Sequence, residues 1–470
     1  MSKNKKEEFI ELTVESIGFE GISIAKKEGK TYFVRNGLPG DVVIVQLLKK
    51  HRRYTETRIK EFIKLSELRT EPFCKYFGIC GGCSWQNLKY EEQLKWKKLH
   101  VIDAYQRLGK IEGNFYNNTL SANQQKNYRN KMDFSFSSSR WLTLDEINSN
   151  EILDKNFALG LHVPGCYDKT LDIDFCGLQN PVWNDILNIV RSKAKELNIS
   201  AYNTNTYNGF LKGLCLRYSL KDNETMSILI TNTPKEDKDI IFLDWYKDEL
   251  KKQIPQIVSI VHAVNTHNNV NVGEISFING KKFITENILG IDYQISPFSF
   301  FQTNSYQLNN FIKLIIDSAN VNKNDIVWDL YCGTGTISLP ISKHCKEVYG
   351  IELVESAIND AKKNSQLNNL NNTFFYTADL HNKQIPELLN KLKKPDVIIL
   401  DPPRSGIHPR LLEHLLEISP KRIIYVSCNP TTQARDLTIL KEKYNILEVS
   451  PVDMFPHTYH IETITKLEKK

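Results

Sequence analysis

No apolar stretch in the 470 residues approaches the ~20 that a membrane-spanning helix needs, so no membrane span is expected. The N-terminus carries Lys3, Lys5 and Lys6 but lacks the apolar core of a signal peptide, and the expected location is cytoplasmic. Internal repeats are missing, which argues against a solenoid or propeller, and the Asn-rich stretches at 203–208 and 265–271 read as loops. Nine cysteines, an odd number in a large intracellular-looking chain, do not suggest a disulfide framework; they point to metal ligation or catalysis. Strong overall charge is lacking too. The net +6 is mild but uneven, because Lys49, Lys50, His51, Arg52 and Arg53 form one basic run that suggests a polyanionic partner. Nothing in the sequence calls for an obligate protein partner.

What is present suffices for several cores: 41% of the residues are hydrophobic, and a chain of this length is expected to split into two to four domains. Residues 8 to 65 alternate apolar and polar positions in short runs (FIELTVESI, KTYFVRN, DVVIVQLL) punctuated by glycine, the pattern of a small OB-like β-barrel. Tyr54 lies beside the basic run, and such barrels bind nucleic acid through grooves and basic loops. Next, Cys74, Cys80 and Cys83 stand at C-x5-C-x2-C spacing with Gly81 and Gly82 between the last two, three thiols on one tight loop. A fourth ligand is then expected, with Cys176 as the candidate and Cys166 competing; spacing alone leaves zinc and an iron-sulfur cluster both open. Residues 90 to 108 have helical spacing and a basic, amphipathic face. Residues 127 to 285 read as α+β, and Arg129 and Lys131, beside Tyr128, are candidates to contact phosphate and stack a base.

The last third alternates strand and helix, giving a Rossmann-like α/β sheet of about seven strands. VWDLY runs into Cys332-Gly333-Thr334-Gly335-Thr336, and a second strand ends at Glu352, nineteen residues after Gly333. That is the spacing by which such a unit offers an acid to a ribose hydroxyl. The third glycine of the dinucleotide fingerprint is missing, with Ser338 in its place, and the pattern suits an adenosine ligand such as S-adenosylmethionine (SAM). Three further runs end in reactive groups: PDVIIL leads into Asp401, RIIYVS into Cys428, and the terminal run contains Glu462. A thiol beside carboxylates at the carboxyl edge of a sheet suggests covalent catalysis with a general base.

Taken together, Ser299-Phe300-Phe301-Gln302-Thr303-Asn304, DLYCGTGT, LDPPRSG, VSCNP and the terminal HIE resemble the SAM-dependent RNA 5-methyluridine methyltransferases. The run from Glu7 to Arg58 resembles a TRAM domain, and with the cysteine loop it is similar to the iron-sulfur branch that modifies 23S ribosomal RNA. The resemblance implies three divisions: a TRAM domain at 1–65, a central α+β domain with the metal-cluster loop at 66–285, and a SAM-dependent methyltransferase domain at 286–470. It also implies that Gln302, Tyr331, Glu352, Asp379 and Asp401 contact SAM, that Cys428 is the nucleophile and Glu462 the base, and that Cys74, Cys80, Cys83 and Cys176 hold a 4Fe-4S cluster. Thr336 stands where relatives often carry Asn. The expected reaction is methyl transfer to C5 of a uridine through a Cys–C6 adduct, on RNA whose target base is flipped out. The alternatives are a transfer-RNA uridine-5 methyltransferase, a cytosine-5 or amino-group methyltransferase, and an RNA-binding protein without catalysis.

Overall fold

The computed structural model describes residues 8–149, 154–267 and 272–470. Lys3, Lys5 and Lys6, and residues 268–271 of the second Asn-rich stretch, lie outside these. The alternation in the first run does build a barrel: β1 (Phe9–Ile17), β2 (Ser23–Lys27), β3 (Lys30–Val34), β4 (Val42–Lys50) and β5 (Thr55–Lys64) close in the order β1-β2-β3-β5-β4. Every second side chain, among them Leu12, Val14, Val34, Val43 and Val45, fills its core. Arg69 clamps the outgoing chain to the barrel with both carboxylate oxygens of Asp41, Nε to Oδ1 at 2.8 Å and Nη2 to Oδ2 at 2.5 Å.

Eight strands form the central sheet: β6 (Lys131–Ser137), β7 (Arg140–Trp141), β8 (Ala158–Val163), β9 (Cys166–Asp172), β10 (Leu211–Ser219), β11 (Glu224–Thr231), β12 (Ile257–Val264) and β13 (Glu274–Gly280). They run in the order β13-β12-β11-β10-β6-β8-β9-β7, and the helices Val182–Glu196 and Asp237–Asp248 cover one face. A hairpin of β14 (Ile284–Ile288) and β15 (Ile291–Ile295) leads on, crossing residue 286 without a break.

The last sheet has seven strands: β16 (Ile326–Leu330), β17 (Glu347–Glu352), β18 (Thr373–Thr377), β19 (Val397–Leu400), β20 (Arg422–Ser427), β21 (Tyr444–Val452) and β22 (Glu462–Lys469). Their order is β18-β17-β16-β19-β20-β22-β21, with β22 antiparallel to β20 and β21 and the other pairings parallel. Period-two alternation sends Val397 and Ile399 to one core and Ile398 and Leu400 to the other. Strand order reverses between β16 and β19, and that switch point opens a crevice at the strands' carboxyl ends.

Helical spacing at 90 to 108 gives the helix Tyr90–Arg107, but its surroundings differ from the expectation. It packs on the helix Pro430–Leu440, placing Val101, Ala104 and Tyr105 in one core with Trp328 and Leu400. Lys97, read as part of a basic face, is wholly buried there. Residues 116–120 then run beside β21, with Asn117 N–H donating to Val449 O at 2.9 Å and Leu120 N–H to Pro451 O at 2.8 Å.

Candidate active site

Sheet register brings the reactive groups together. Ser427 pairs with Thr463, so Cys428 and Glu462 occupy adjoining positions one step beyond the last β20–β22 pair. Only the antiparallel entry of β22 does this, by bringing its first residue to the edge where the parallel strands end. Leu330 pairs with Leu400 in the same way, so Tyr331 and Asp401 follow side by side. Cys428, Glu462, Gln302, Tyr331, Glu352, Asp379 and Asp401 all line a single cavity of about 880 Å³. Thr336 does not reach it. The Glu352 carboxylate accepts from Gly333 N–H at 3.2 Å and Val354 N–H at 2.9 Å, which fixes it at the cavity's rim. Asp379 Oδ1 accepts from His381 N–H at 2.8 Å. Tyr331 has φ 69°, a left-handed conformation uncommon for a residue with a side chain; such strain clusters at functional sites.

The strap 453–461, between β21 and β22, walls the cavity with Phe455, Thr458 and His460. It is tied from several directions. Lys97 Nζ meets Asp453 Oδ1 at 2.5 Å, Ser84 and Trp85 N–H donate to His457 O at 2.9 and 3.0 Å, and Asn304 Nδ2 donates to Met454 O at 2.9 Å. Tyr128 Oη donates to Pro456 O at 3.1 Å from a position 1% exposed, so it cannot stack a base as the sequence suggested. Lys131 pairs with Asp133 at 3.1 Å.

Electrostatics favour the neutral forms of the pocket's acids and thiol. Burial, and then Asp401, hold the Glu462 carboxyl well above the usual range, with Arg404 pulling back. Burial, and then Asp329, push Asp401 up to about 7. The Cys428 thiol is raised to about 11 by burial, Glu462 and Asp401, and here too Arg404 opposes. Burial and the two neighbouring carboxyl groups thus oppose ionisation of the thiol. His460 is lowered to about 4, first by burial and then by Arg404.

A second cavity, about 440 Å³, is lined by all four predicted ligands, Cys74, Cys80, Cys83 and Cys176, and not by Cys166. Among the described residues no three His, Cys, Asp or Glu side chains are drawn closely enough together to hold a metal ion. Four thiols facing one space nevertheless form a donor set of the kind that takes zinc or an iron-sulfur cluster. Burial raises all four thiols, Cys80 to about 11 and Cys83 to about 12, a bias that a bound cation would reverse. Gly81, Gly82 and Arg129 line both cavities.

Residues 244–470 match the model of the tRNA (Uracil-5-)-methyltransferase family, and residues 5–60 match the TRAM domain. An RNA methyltransferase of Bacteroides thetaiotaomicron is 41% identical over 96% of this chain and 99% of its own length. One of Chlorobaculum tepidum is 40% identical over 99% and 97%. The chain belongs to the SAM-dependent RNA (uracil-5-)-methyltransferases. Among solved structures, a Pyrococcus abyssi tRNA (uracil-54, C5)-methyltransferase in complex with S-adenosyl-L-homocysteine is similar over 97% of this chain and 100% of its own, with a TM-score of 0.75 and 28% identity.

In this methyltransferase the cavity also holds groups to which the sequence reading gave no role. Arg404 is the cation that opposes the upward shift of the thiol; its own carbonyl is held by Asn429 Nδ2 at 3.1 Å and Thr432 Oγ1 at 3.2 Å. Phe300 stands 68% exposed while lining the cavity. His460 completes the wall, its ring 4.3 Å from that of Tyr459. Arg404, Phe300 and His460 all sit inside the motifs quoted above, which was the available signal. Arg129 was singled out as a phosphate contact; its buried Nε has no partner, at the partition between the two cavities.

Proposed function

We propose that this methyltransferase modifies C5 of a uridine through a transient bond between Cys428 Sγ and uracil C6. The observation that carries the reading is that one cavity collects Cys428, Glu462 and the five residues expected to contact SAM. Uracil C5 is a poor nucleophile until a thiolate adds at C6 and leaves an enolate whose carbon can attack. SAM supplies an electrophilic methyl group on a positively charged sulfur. After transfer, C5 carries both methyl and hydrogen; Glu462 takes that proton, the electron pair restores the C5–C6 double bond, and Sγ is expelled. Burial and Asp401 favour the neutral form of Glu462. Positive charge brought into the cavity favours ionised Asp401 and Glu462, and Arg404 favours the Cys428 thiolate. Exposed Phe300 offers a ring on which a base leaving its stack can rest.

The RNA we favour is 23S ribosomal RNA, following the combined resemblance of the barrel and the cysteine loop. Transfer RNA is the second reading, favoured by the likeness to the tRNA (Uracil-5-)-methyltransferase family and to the solved tRNA (uracil-54, C5)-methyltransferase. Cys74, Cys80, Cys83 and Cys176 are the residues that would hold a 4Fe-4S cluster; their shared cavity supports this, and Cys176 over Cys166 as fourth ligand. Its role would be structural, since methyl transfer to an enolate consumes no electron.

Mapping 5-methyluridine in RNA from cells with and without the gene identifies the substrate. With that RNA in hand, Cys428→Ala is expected to give neither adduct nor product. Glu462→Gln should transfer the methyl group yet fail to release the thiol, leaving a heat-stable protein–RNA band on a denaturing gel. Product formation by Cys428→Ala would overturn the covalent mechanism.

A further inference from the structure

Between β15 and the helix Ser305–Ala319 the chain crosses the wall of the active-site cavity over residues 296–304, without regular structure. Phe298, Ser299, Phe300, Gln302 and Thr303 of this segment line the cavity. A strand or helix would satisfy the segment's carbonyls internally; here the partners have to come from elsewhere. The central sheet supplies them. Arg217, in β10 and 2% exposed, reaches the segment with one nitrogen: Nη1 donates to Ser296 O at 2.9 Å, Pro297 O at 3.1 Å and Ser299 O at 2.7 Å.

That nitrogen carries two hydrogens, so three oxygens share two protons. What gathers them is charge. Carbonyl oxygens brought to one point repel one another, and a cation among them turns the repulsion into attraction, the more so away from water. The turn 296–299 is therefore folded around the Arg217 guanidinium. Farther along, Asn130 Nδ2 donates to Gln302 O at 2.8 Å and Asn130 N–H to Thr303 O at 3.0 Å. Tyr218, next to Arg217, donates its N–H to Asn130 O at 2.8 Å, so the two holders are tied to each other. Gln302 is thus gripped from both sides, by Arg217 before it and by Asn130 at its own carbonyl.

We propose that Arg217 is a positioning residue for the cofactor, holding the turn 296–299 in the shape that aims Gln302 at SAM from a strand of a different sheet. The inference rests on Gln302 being a SAM contact. Arg217 is not among the residues lining the cavity, so its influence on the cofactor passes through the segment it holds.

The test is calorimetric titration of the full chain with S-adenosyl-L-homocysteine, which reads affinity and stoichiometry separately. Gln302→Ala should weaken binding about tenfold, the value of one hydrogen bond. Arg217→Met, similar in reach but uncharged, should cost about the same tenfold, and the double variant no more than either, because both substitutions remove one interaction. Arg217→Lys should bind within about threefold of the parent, since its ammonium brings a point charge and three donors, one for each carbonyl. An arginine that served the fold alone would give a different split: Arg217→Met would lower the melting midpoint and the stoichiometry while the folded molecules kept parental affinity, and that result overturns the proposal. A Lys variant as weak as the Met variant overturns it too, as does a double variant about 100-fold weaker than the parent, the product of two independent losses. Should Arg217→Met not fold, Arg217→Gln replaces it, with about tenfold weakening expected and parental affinity overturning the proposal. Parental affinity in Gln302→Ala removes the reading of Gln302 as a SAM contact and this proposal with it, whereas weakening by Gln302→Ala beside parental affinity in Arg217→Met removes the role of Arg217 alone.

Discussion

Replacing Lys97 by Met should disable the active site from a distance. Lys97 and Asp453 form an ion pair at 2.5 Å in which both side chains are fully buried. Asp453 also accepts from Tyr90 Oη at 2.9 Å and Phe455 N–H at 3.1 Å, and Lys97 donates a second bond to Phe455 O at 3.1 Å. Breaking a buried pair by removing one partner costs about 3–5 kcal/mol, because a charge is left without compensation. The two neutral donors that remain on Asp453 put the expected cost near the lower bound, about 3 kcal/mol. Protonating the carboxyl also caps it: an ordinary carboxylate at pH 7 sits about three units above its pKa, or about 4 kcal/mol. For a cooperative unit of about 200 residues, 3 kcal/mol lowers the melting midpoint by roughly 6–12 °C. Asp453 opens the strap that carries His460 to the cavity and ends at Glu462, so a displacement of about 1 Å there would slow methyl transfer on the order of 100-fold. Lys97→Met with Asp453→Asn removes the stranded charge and should recover most of the stability. Melting midpoints and single-turnover methylation of the three proteins provide the check. A Lys97→Met protein as stable as the parent, or a double variant no better than the single one, would refute the reasoning.

Arg404→Gln removes the cation that opposes the upward shift of Cys428, so at pH 8 iodoacetamide should alkylate that thiol several-fold more slowly, up to about tenfold per unit of pKa; equal labelling in peptide mass spectra would count against the assigned contact. Asp329, wholly buried, is pushed up to about 7 by burial, partly opposed by a hydrogen bond from Ser338. A raised carboxyl stabilises the fold below its unfolded value near 4 and loses that contribution as pH rises through about 7. Asp329→Asn should therefore flatten the decline in melting midpoint between pH 4 and 7, a difference of up to about 4 kcal/mol; parallel curves would exclude it. Anaerobically purified protein should be brown with about four irons per chain, a property kept by Cys166→Ser and lost by Cys176→Ser; colourless protein with a single zinc would exclude the cluster.

The sequence by itself determined whatever depends on near neighbours along the chain. Alternation in FIELTVESI and DVVIVQLL is enough to specify barrel strands, because period two decides which side chains can share a core. Helical spacing found Tyr90–Arg107, and the motifs found seven of the residues that line the cleft. Tertiary structure alone decided what depends on distant partners. Lys97 looks like any solvated lysine until Asp453, 356 positions away, meets it in a dry interface. Tyr128 looks available for stacking until the strap closes over it. The sequence offers Cys176 as fourth ligand with Cys166 competing, and the path of the chain after β9 brings Cys176, not Cys166, to the shared cavity. Cys428 and Glu462 lie in strands that an antiparallel pairing had to align before they could meet at one edge. The thiol's resistance to ionisation has the same origin, since burial and the field of Glu462, Asp401 and Arg404 belong to the assembled pocket and have no counterpart in the order of the residues.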